Sequence, residues 1–144
     1  LKKALVEFRK RNLDVASSLL QPLEKGGWRK IIFDLFYNYP IILLEKILPH
    51  GAGFIMVKKS LFEKLNGFDE KILLEEDQDF IRRTAKLGRF GILRSVKPFF
   101  SIRRFEKEGW VRTYLNYLIC EIYSLIFGPD KKRIFRYDFD HYDK

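Results

Sequence analysis

Four carboxylates lie within five residues near the middle of the chain, at Glu75, Glu76, Asp77 and Asp79. A segment with helical periodicity follows them, and on a helix over Glu76–Leu87 the side chains of Asp77, Ile81 and Ala85 share one stripe. Asp77 would then stand at the mouth of an apolar face. A carboxylate there could take a proton from a hydroxyl as a general base, and a neighbouring carboxylate can raise its pKa.

The same carboxylates have a purely structural interpretation. Glu and Asp are ordinary residues in the first turn of a helix, where the helix dipole stabilises the anion by roughly 0.3–1 kcal/mol. Spacing alone favours this structural role. The same periodicity directs Arg82, Arg83 and Lys86 toward solvent.

Small residues precede an apolar run upstream of the acidic cluster. The triplet Gly51-Ala52-Gly53 leads into Phe54–Val57, which we predict to be a buried strand. Small residues at such a place allow a ligand to approach the backbone closely, although a glycine pair is also common in ordinary loops. We expect Ser60 to cap a short helix over Leu61–Leu65 and Asn66-Gly67 to end it.

The other elements alternate between helices and strands, which predicts an α/β fold. In chain order we expect a helix over Leu1–Arg11, a short strand over Asn12–Leu20 with alternation around Val15, and a loop over Gln21–Gly27. After these come a helix from Trp28 through Pro40 to Leu48, strands over Phe90–Leu93 and Pro98–Arg103, and a long helix over Lys107–Phe127.

Composition limits the classes of partner. The 144 residues are enough for one core, and the net charge of +9 permits phosphate, anionic lipid or nucleic acid as partners. The basic residues occur in scattered pairs, so the nucleic-acid signal is weak. The single cysteine, Cys120, excludes an internal disulfide and a cysteine zinc cluster within the chain. No run of 18 uncharged apolar residues predicts a transmembrane helix.

The segment GFDEKILLEEDQDFIRRTAKLGRFG resembles a stretch of the family 2 glycosyltransferases. In that family Gly-Phe-Asp-Glu precedes a Glu-Asp pair and an Arg-containing helix that ends in Gly, and the Asp of the pair is the proposed general base. The resemblance assigns that role to Asp77, with Glu76 as its partner.

The resemblance also implies a set of substrate-binding residues. It places Gly51, Ala52 and Gly53 beside the transferred sugar, and Asp79 belongs to the same site. Arg103 and Arg104 would clamp a diphosphate or lipid phosphate, because guanidinium groups bind such oxygens bidentately. The alternative for these two arginines is a solvated strand end. Many family members have a metal-binding His near this point, where this chain has Arg, so we assign no metal ligand.

The resemblance implies a partial GT-A fold, the nucleotide-diphospho-sugar transferase fold, without its N-terminal nucleotide-binding half. Residues 1–105 would be the acceptor-side part of the catalytic domain, and residues 106–144 an amphipathic helix and a charged, aromatic tail. The family's Asp-X-Asp pair belongs to the missing half. We therefore expect a fragment of a longer enzyme that is inactive alone and whose divalent metal, Mg or Mn, is held outside this chain.

The implied partners are a nucleotide sugar donor and a sugar or lipid-linked acceptor, with no nucleic acid. The implied location is cytoplasmic, with peripheral contact at the inner face of the cell membrane as a further expectation. The competing interpretation is a non-enzymatic basic module that binds an anionic membrane surface or nucleic acid. The absence of a basic-aromatic strand motif counts against nucleic acid.

The C-terminal helix carries a narrow polar stripe on an otherwise mainly apolar surface. The stripe consists of Thr113, Asn116, Cys120 and Ser124. Such a helix is either buried against another part of the protein or lies in a membrane interface, where its Trp and Tyr residues would be favoured. The basic residues Lys131, Lys132 and Arg133 could then meet anionic headgroups.

Overall fold

The computed structural model describes residues 1–23, 26–51, 53–72 and 75–128. The predictions for Ala52 and for the tail from residue 129 onward lie outside these residues. The helices are α1 (Lys2–Lys10), α2 (Gly27–Phe33), α3 (Tyr39–Leu44), α4 (Lys59–Lys64), α5 (Glu76–Ala85), α6 (Arg103–Glu108) and α7 (Trp110–Phe127), with a π-helical turn (Asp34–Asn38) between α2 and α3. The strands are β1 (Val15–Ser18), β2 (Gln21–Pro22), β3 (Ile55–Val57), β4 (Phe90–Leu93) and β5 (Phe99–Phe100).

Strand β1 is the centre of a three-stranded sheet ordered β3-β1-β4. It runs parallel to β4 and antiparallel to β3. On one face Ala16 packs with Ala4 and Phe8 of α1, and on the other Val15 packs with Ile81 of α5. The fold is therefore mixed α/β, as predicted.

The alternating burial expected around Val15 is wrong. All four residues of β1 are buried, because helices cover both faces of the strand. The strand expected over Phe54–Val57 forms over Ile55–Val57 but is only half-buried, since β3 is the edge of the sheet.

A second, two-stranded sheet joins β2 and β5 in parallel. The loop predicted from Gln21 therefore begins with a strand, and the strand predicted over Pro98–Arg103 is confined to Phe99–Phe100. From Arg103 the chain is helical. Gly109, with φ of 91°, separates α6 from α7, so the long helix predicted from Lys107 is two helices.

The short helix α4 begins earlier than predicted. Lys58, not Ser60, occupies its cap position. Its predicted end is confirmed, because Asn66 and Gly67 both have left-handed backbone conformations, with φ of 56° and 70°.

The predicted helix around Pro40 forms but ends at Leu44, short of Leu48. A π-helical turn occupies Asp34–Asn38 immediately before the proline turn. Proline has no N–H to donate and its ring crowds the carbonyl four residues earlier. π-Helical turns are rare and occur mostly as single-turn bulges inside α-helices, as here.

Asn38 connects this helical segment to Leu20, which follows the end of β1. Its side chain is buried, with 2% of its surface exposed. It accepts a hydrogen bond from the Leu20 N–H at 3.1 Å and donates to the Leu20 carbonyl at 2.8 Å. One side chain thus pairs both backbone groups of a residue that has left the sheet.

We predict that Asn38→Leu lowers the free energy of unfolding by about 2–4 kcal/mol, because it leaves two buried backbone groups unpaired. Urea unfolding would measure the loss. Asn116→Leu is the matched control, since Asn116 is exposed on α7, and it should change stability by less than about 0.5 kcal/mol. Equal effects of the two substitutions would contradict the role given to Asn38.

Candidate functional site

A cavity of about 540 Å³ lies between the helical segment α2–α3 and helix α7. Its long walls are mainly apolar and include Phe36, Ile41 and Leu44 from the first segment and Leu118 from α7. One part of the lining is polar and comes from the start of α5 and the adjoining loop at Gly51. This polar part contains the residue that the sequence predicted as a general base, Asp77.

Two hydrogen bonds hold the start of α5 against the loop. The Gly51 N–H donates to Gln78 Oε1 at 2.8 Å, and Gln78 Nε2 donates to the Gly51 carbonyl at 2.6 Å. A Cβ atom at Gly51 would lie 3.0 Å from the Asp77 carbonyl oxygen, which is tighter than ordinary contact. Glycine is therefore needed for this close approach, and the approach fixes Asp77 on the cavity wall.

Burial raises the pKa of Asp77, and the negative charge of Glu76 adds to the effect. The Gln78 N–H donates to Asp77 Oδ1 at 2.8 Å and opposes it. The carboxylate consequently binds a proton more readily than an exposed Asp does. This is the direction that general-base chemistry near neutral pH requires.

A second carboxylate of the cavity is Glu75, the residue before α5. Its backbone is left-handed, with φ of 62°. Burial raises its pKa, and the nearby Glu121 raises it further. Glu75 and Glu121 both line the cavity with Asp77, so its polar part is rich in carboxylates.

His50 and Tyr37 complete the polar lining. Tyr37 Oη and His50 Nε2 are 3.3 Å apart. Burial lowers the pKa of His50 and raises the pKa of Tyr37, so both side chains favour their neutral forms. Sequence reasoning gave neither residue a role. The position of His50 directly before the small-residue turn was the available signal.

Arg82 was predicted to face solvent, and this prediction is wrong. It donates to Glu121 Oε1 at 2.6 Å and to Ser124 Oγ at 2.9 Å, both on α7. Arg83 also points inward, donating to Asp79 at 2.6 Å and to the Gly67 carbonyl at 3.1 Å. Helical periodicity could not show that other elements supply acceptors on that side of α5.

The remaining predicted site residues that the structure describes lie apart from the cavity lining. Glu76 is exposed, and Asp79 pairs with Arg83. Arg103 donates to Ser101 Oγ at 3.2 Å, and Arg104 pairs with Glu108 at 3.0 Å within α6.

The structure brings three polar side chains together with two of the predicted glycines. Gly51, Gly53 and Asp77 line the cavity, as do Glu75 and His50. From α6 it is Phe105, not the preceding arginines, that reaches the cavity.

Within the described ranges, no group of three or more His, Cys, Asp or Glu side chains is arranged to hold a metal ion. The carboxylates of the cavity therefore do not fit a metal site, and no metal-dependent step is assigned to them. Of the helices that the structure describes, none has the length and apolarity needed to cross a membrane.

Comparison of the chain with protein-family models, curated proteins and solved structures gave no match. Functional inference therefore depends on the motif and on the geometry of the cavity.

We predict that Asp77→Asn raises the free energy of unfolding at neutral pH. Burial raises the folded-state pKa above the usual 3.8, so ionisation of Asp77 costs folding free energy as the pH rises through that window. The amide removes this cost and can still accept the Gln78 hydrogen bond. The gain should fade as the pH falls below the unfolded-state pKa, where both states are protonated.

Urea unfolding at neutral pH and at about pH 3 measures this dependence. Glu63→Gln is the control, because Glu63 is exposed on α4, with 62% of its side chain accessible. A destabilised Asp77→Asn protein at neutral pH would contradict the assigned electrostatic cost.

Proposed function

We propose that this chain forms the acceptor-side part of an inverting family 2 glycosyltransferase of GT-A type, with Asp77 as the general base. The observation that carries the proposal is the position of Asp77. The Asp of the Glu-Asp motif lies on a cavity wall, held against a small-residue turn, in surroundings that raise its pKa.

The proposed step moves one proton and one sugar. The acceptor hydroxyl gives its proton to the Asp77 carboxylate while its oxygen attacks the anomeric carbon of the donor. The bond between that carbon and the nucleoside diphosphate breaks, and the diphosphate leaves with the bonding electrons. Attack opposite the leaving group inverts the anomeric configuration.

Glu76 supports the base through its charge, since its side chain is exposed and its negative charge favours the protonated form of Asp77. On this proposal the nucleotide-binding half and the residues that hold the divalent metal, Mg or Mn, are not among these 144 residues. Arg103 and Arg104 would meet substrate phosphates only if the assembly with that half directs them there, because both make contacts within or next to α6.

We expect Asp77→Asn, in a polypeptide that contains this chain and the donor-binding half, to lower the rate of sugar transfer by about 10²–10⁴-fold, the usual contribution of a general base. Nucleotide binding should not change. The measurement is transfer from a labelled nucleotide sugar, with calorimetric titration of the nucleotide as its companion.

Glu63→Gln serves as the control carboxylate, since it lies on the exposed face of α4. Near-normal turnover by Asp77→Asn would refute the base assignment. Loss of nucleotide binding together with turnover would indicate a structural role.

A second candidate, membrane-surface binding, is favoured by the outer face of α7. Leu115, Ile119, Ile122 and Ile126 are exposed there. Three of the aromatic residues expected at an interface, Trp110, Tyr114 and Tyr117, instead contact Phe105. The outward face is thus mainly aliphatic, and the chain is basic overall, with a net charge of +9. Anionic lipid suits both properties.

This candidate predicts co-sedimentation with vesicles rich in phosphatidylglycerol. Ile126→Glu should weaken binding by about tenfold or more, because it removes apolar burial worth about 1.5–3 kcal/mol. Val6→Glu on α1 is the matched control, since Val6 and Ile126 are 65% and 67% exposed. Failure to bind anionic vesicles, or equal loss in both variants, would remove this candidate.

A further inference from the structure

We propose that the cavity between α2–α3 and α7 binds the hydrocarbon chain of a neutral, hydroxyl-bearing amphiphile, a long-chain alcohol, whose hydroxyl lies against Asp77 and His50. The inference deepens the proposed function by naming the class of acceptor, and its identification as an acceptor depends on that function. Binding of the amphiphile can be tested without any sugar transfer.

The walls of the cavity select an apolar chain. Phe36, Ile41, Leu44 and Leu118 present hydrocarbon to the space. The volume of about 540 Å³ is within the range of small-molecule pockets, roughly 300–1,000 Å³. A sugar hydroxyl placed against such a wall would lose its hydrogen bonds to water, at a cost of about 1–3 kcal/mol each. A methylene chain has no such cost and gains from leaving water.

The polar lining selects the head group. Three carboxylates, Glu75, Asp77 and Glu121, line the cavity there. The nearest cation on α5 is Arg82, and its guanidinium already pairs with Glu121 at 2.6 Å. A phosphate head would therefore face unbalanced negative charge at close range, which is unfavourable.

A hydroxyl head matches the groups that remain. It can donate to the Asp77 carboxylate, as the proposed proton transfer requires. Tyr37 and His50 lie within one hydrogen bond of each other, at 3.3 Å, and one of them can donate to the hydroxyl oxygen. A neutral alcohol thus pairs with Asp77 and with one member of the Tyr37–His50 pair, and it brings no charge into the acidic lining.

Two neighbouring residues of α7 make it possible to distinguish ligand binding in the cavity from ligand binding on the outer apolar face. Leu118 lines the cavity, whereas Ile119 does not. Their side chains are similar in size and are 54% and 53% exposed. A charge at either position should have a similar effect on the stability of the helix. A difference in ligand binding between the two variants would therefore show that the ligand binds in the cavity.

The experiment titrates the chain with dodecanol below its aggregation limit and follows tryptophan fluorescence. Dodecanol should bind the wild-type chain, and Leu118→Asp should weaken binding by about tenfold or more, while Ile119→Asp stays within about twofold. Dodecyl phosphate should bind at least about tenfold more weakly than the alcohol at neutral pH. Circular dichroism verifies that both variants fold.

Several outcomes would overturn the proposal. Equal loss in the two variants would place the alcohol on the outer face of α7. Phosphate binding as tight as alcohol binding would refute the choice of head group. Absence of dodecanol binding to the folded wild-type chain would refute the acceptor class.

Asp77→Asn distinguishes this proposal from the base assignment. Dodecanol binding by the wild-type chain and sugar transfer by Asp77→Asn are separate measurements. If wild type binds dodecanol but Asp77→Asn transfers sugar normally in the complete enzyme, the base assignment fails and the cavity assignment stands. If Asp77→Asn loses transfer but wild type does not bind dodecanol, only the acceptor class fails.

Discussion

The ion pair between Arg82 and Glu121 determines which face of α7 meets the rest of the protein. Both side chains are largely buried, at 17% and 16% exposure, and the guanidinium also donates to Ser124. Breaking such a buried pair leaves an uncompensated charge, so rotation of α7 about its axis is strongly opposed. The helix consequently turns polar side chains toward α5 and aliphatic side chains outward, and this orientation creates both the cavity wall and the exposed face.

The cavity combines hydrocarbon walls with carboxylates, and the two features affect each other. Burial beside apolar walls is what raises the pKa of Asp77 and Glu75. The carboxylates in turn make the cavity unsuitable for a wholly apolar occupant, because their polar atoms need partners. Buried carboxylates with a raised pKa that line a cleft are typical of functional sites.

Much of the fold could be predicted from periodicity and turn residues. Strand β4 has the predicted bounds Phe90–Leu93, and helices α1 and α5 lie where the apolar stripes placed them. Two of the errors have a common physical cause. The burial of β1 and the inward orientation of Arg82 both depend on which elements pack together, and local sequence does not specify that packing. The division of the last helix differs, because Gly109 with its positive φ is a local signal.

Prediction of the site from sequence is limited in the same way, because most of its residues are brought together only by tertiary packing. The stripe that contains Ile81 placed Asp77 at the mouth of an apolar face, and Asp77 lines the cavity, because helix geometry is local. His50 and Glu121 could not be found in this way, since they line the cavity of Asp77 from separate elements and only tertiary packing brings them there. A motif can thus indicate a candidate base, whereas the chemistry of a ligand must be inferred from the walls of the cavity. Here those walls are hydrocarbon, and this is why the geometry favours an alcohol over a free sugar as the molecule that approaches Asp77.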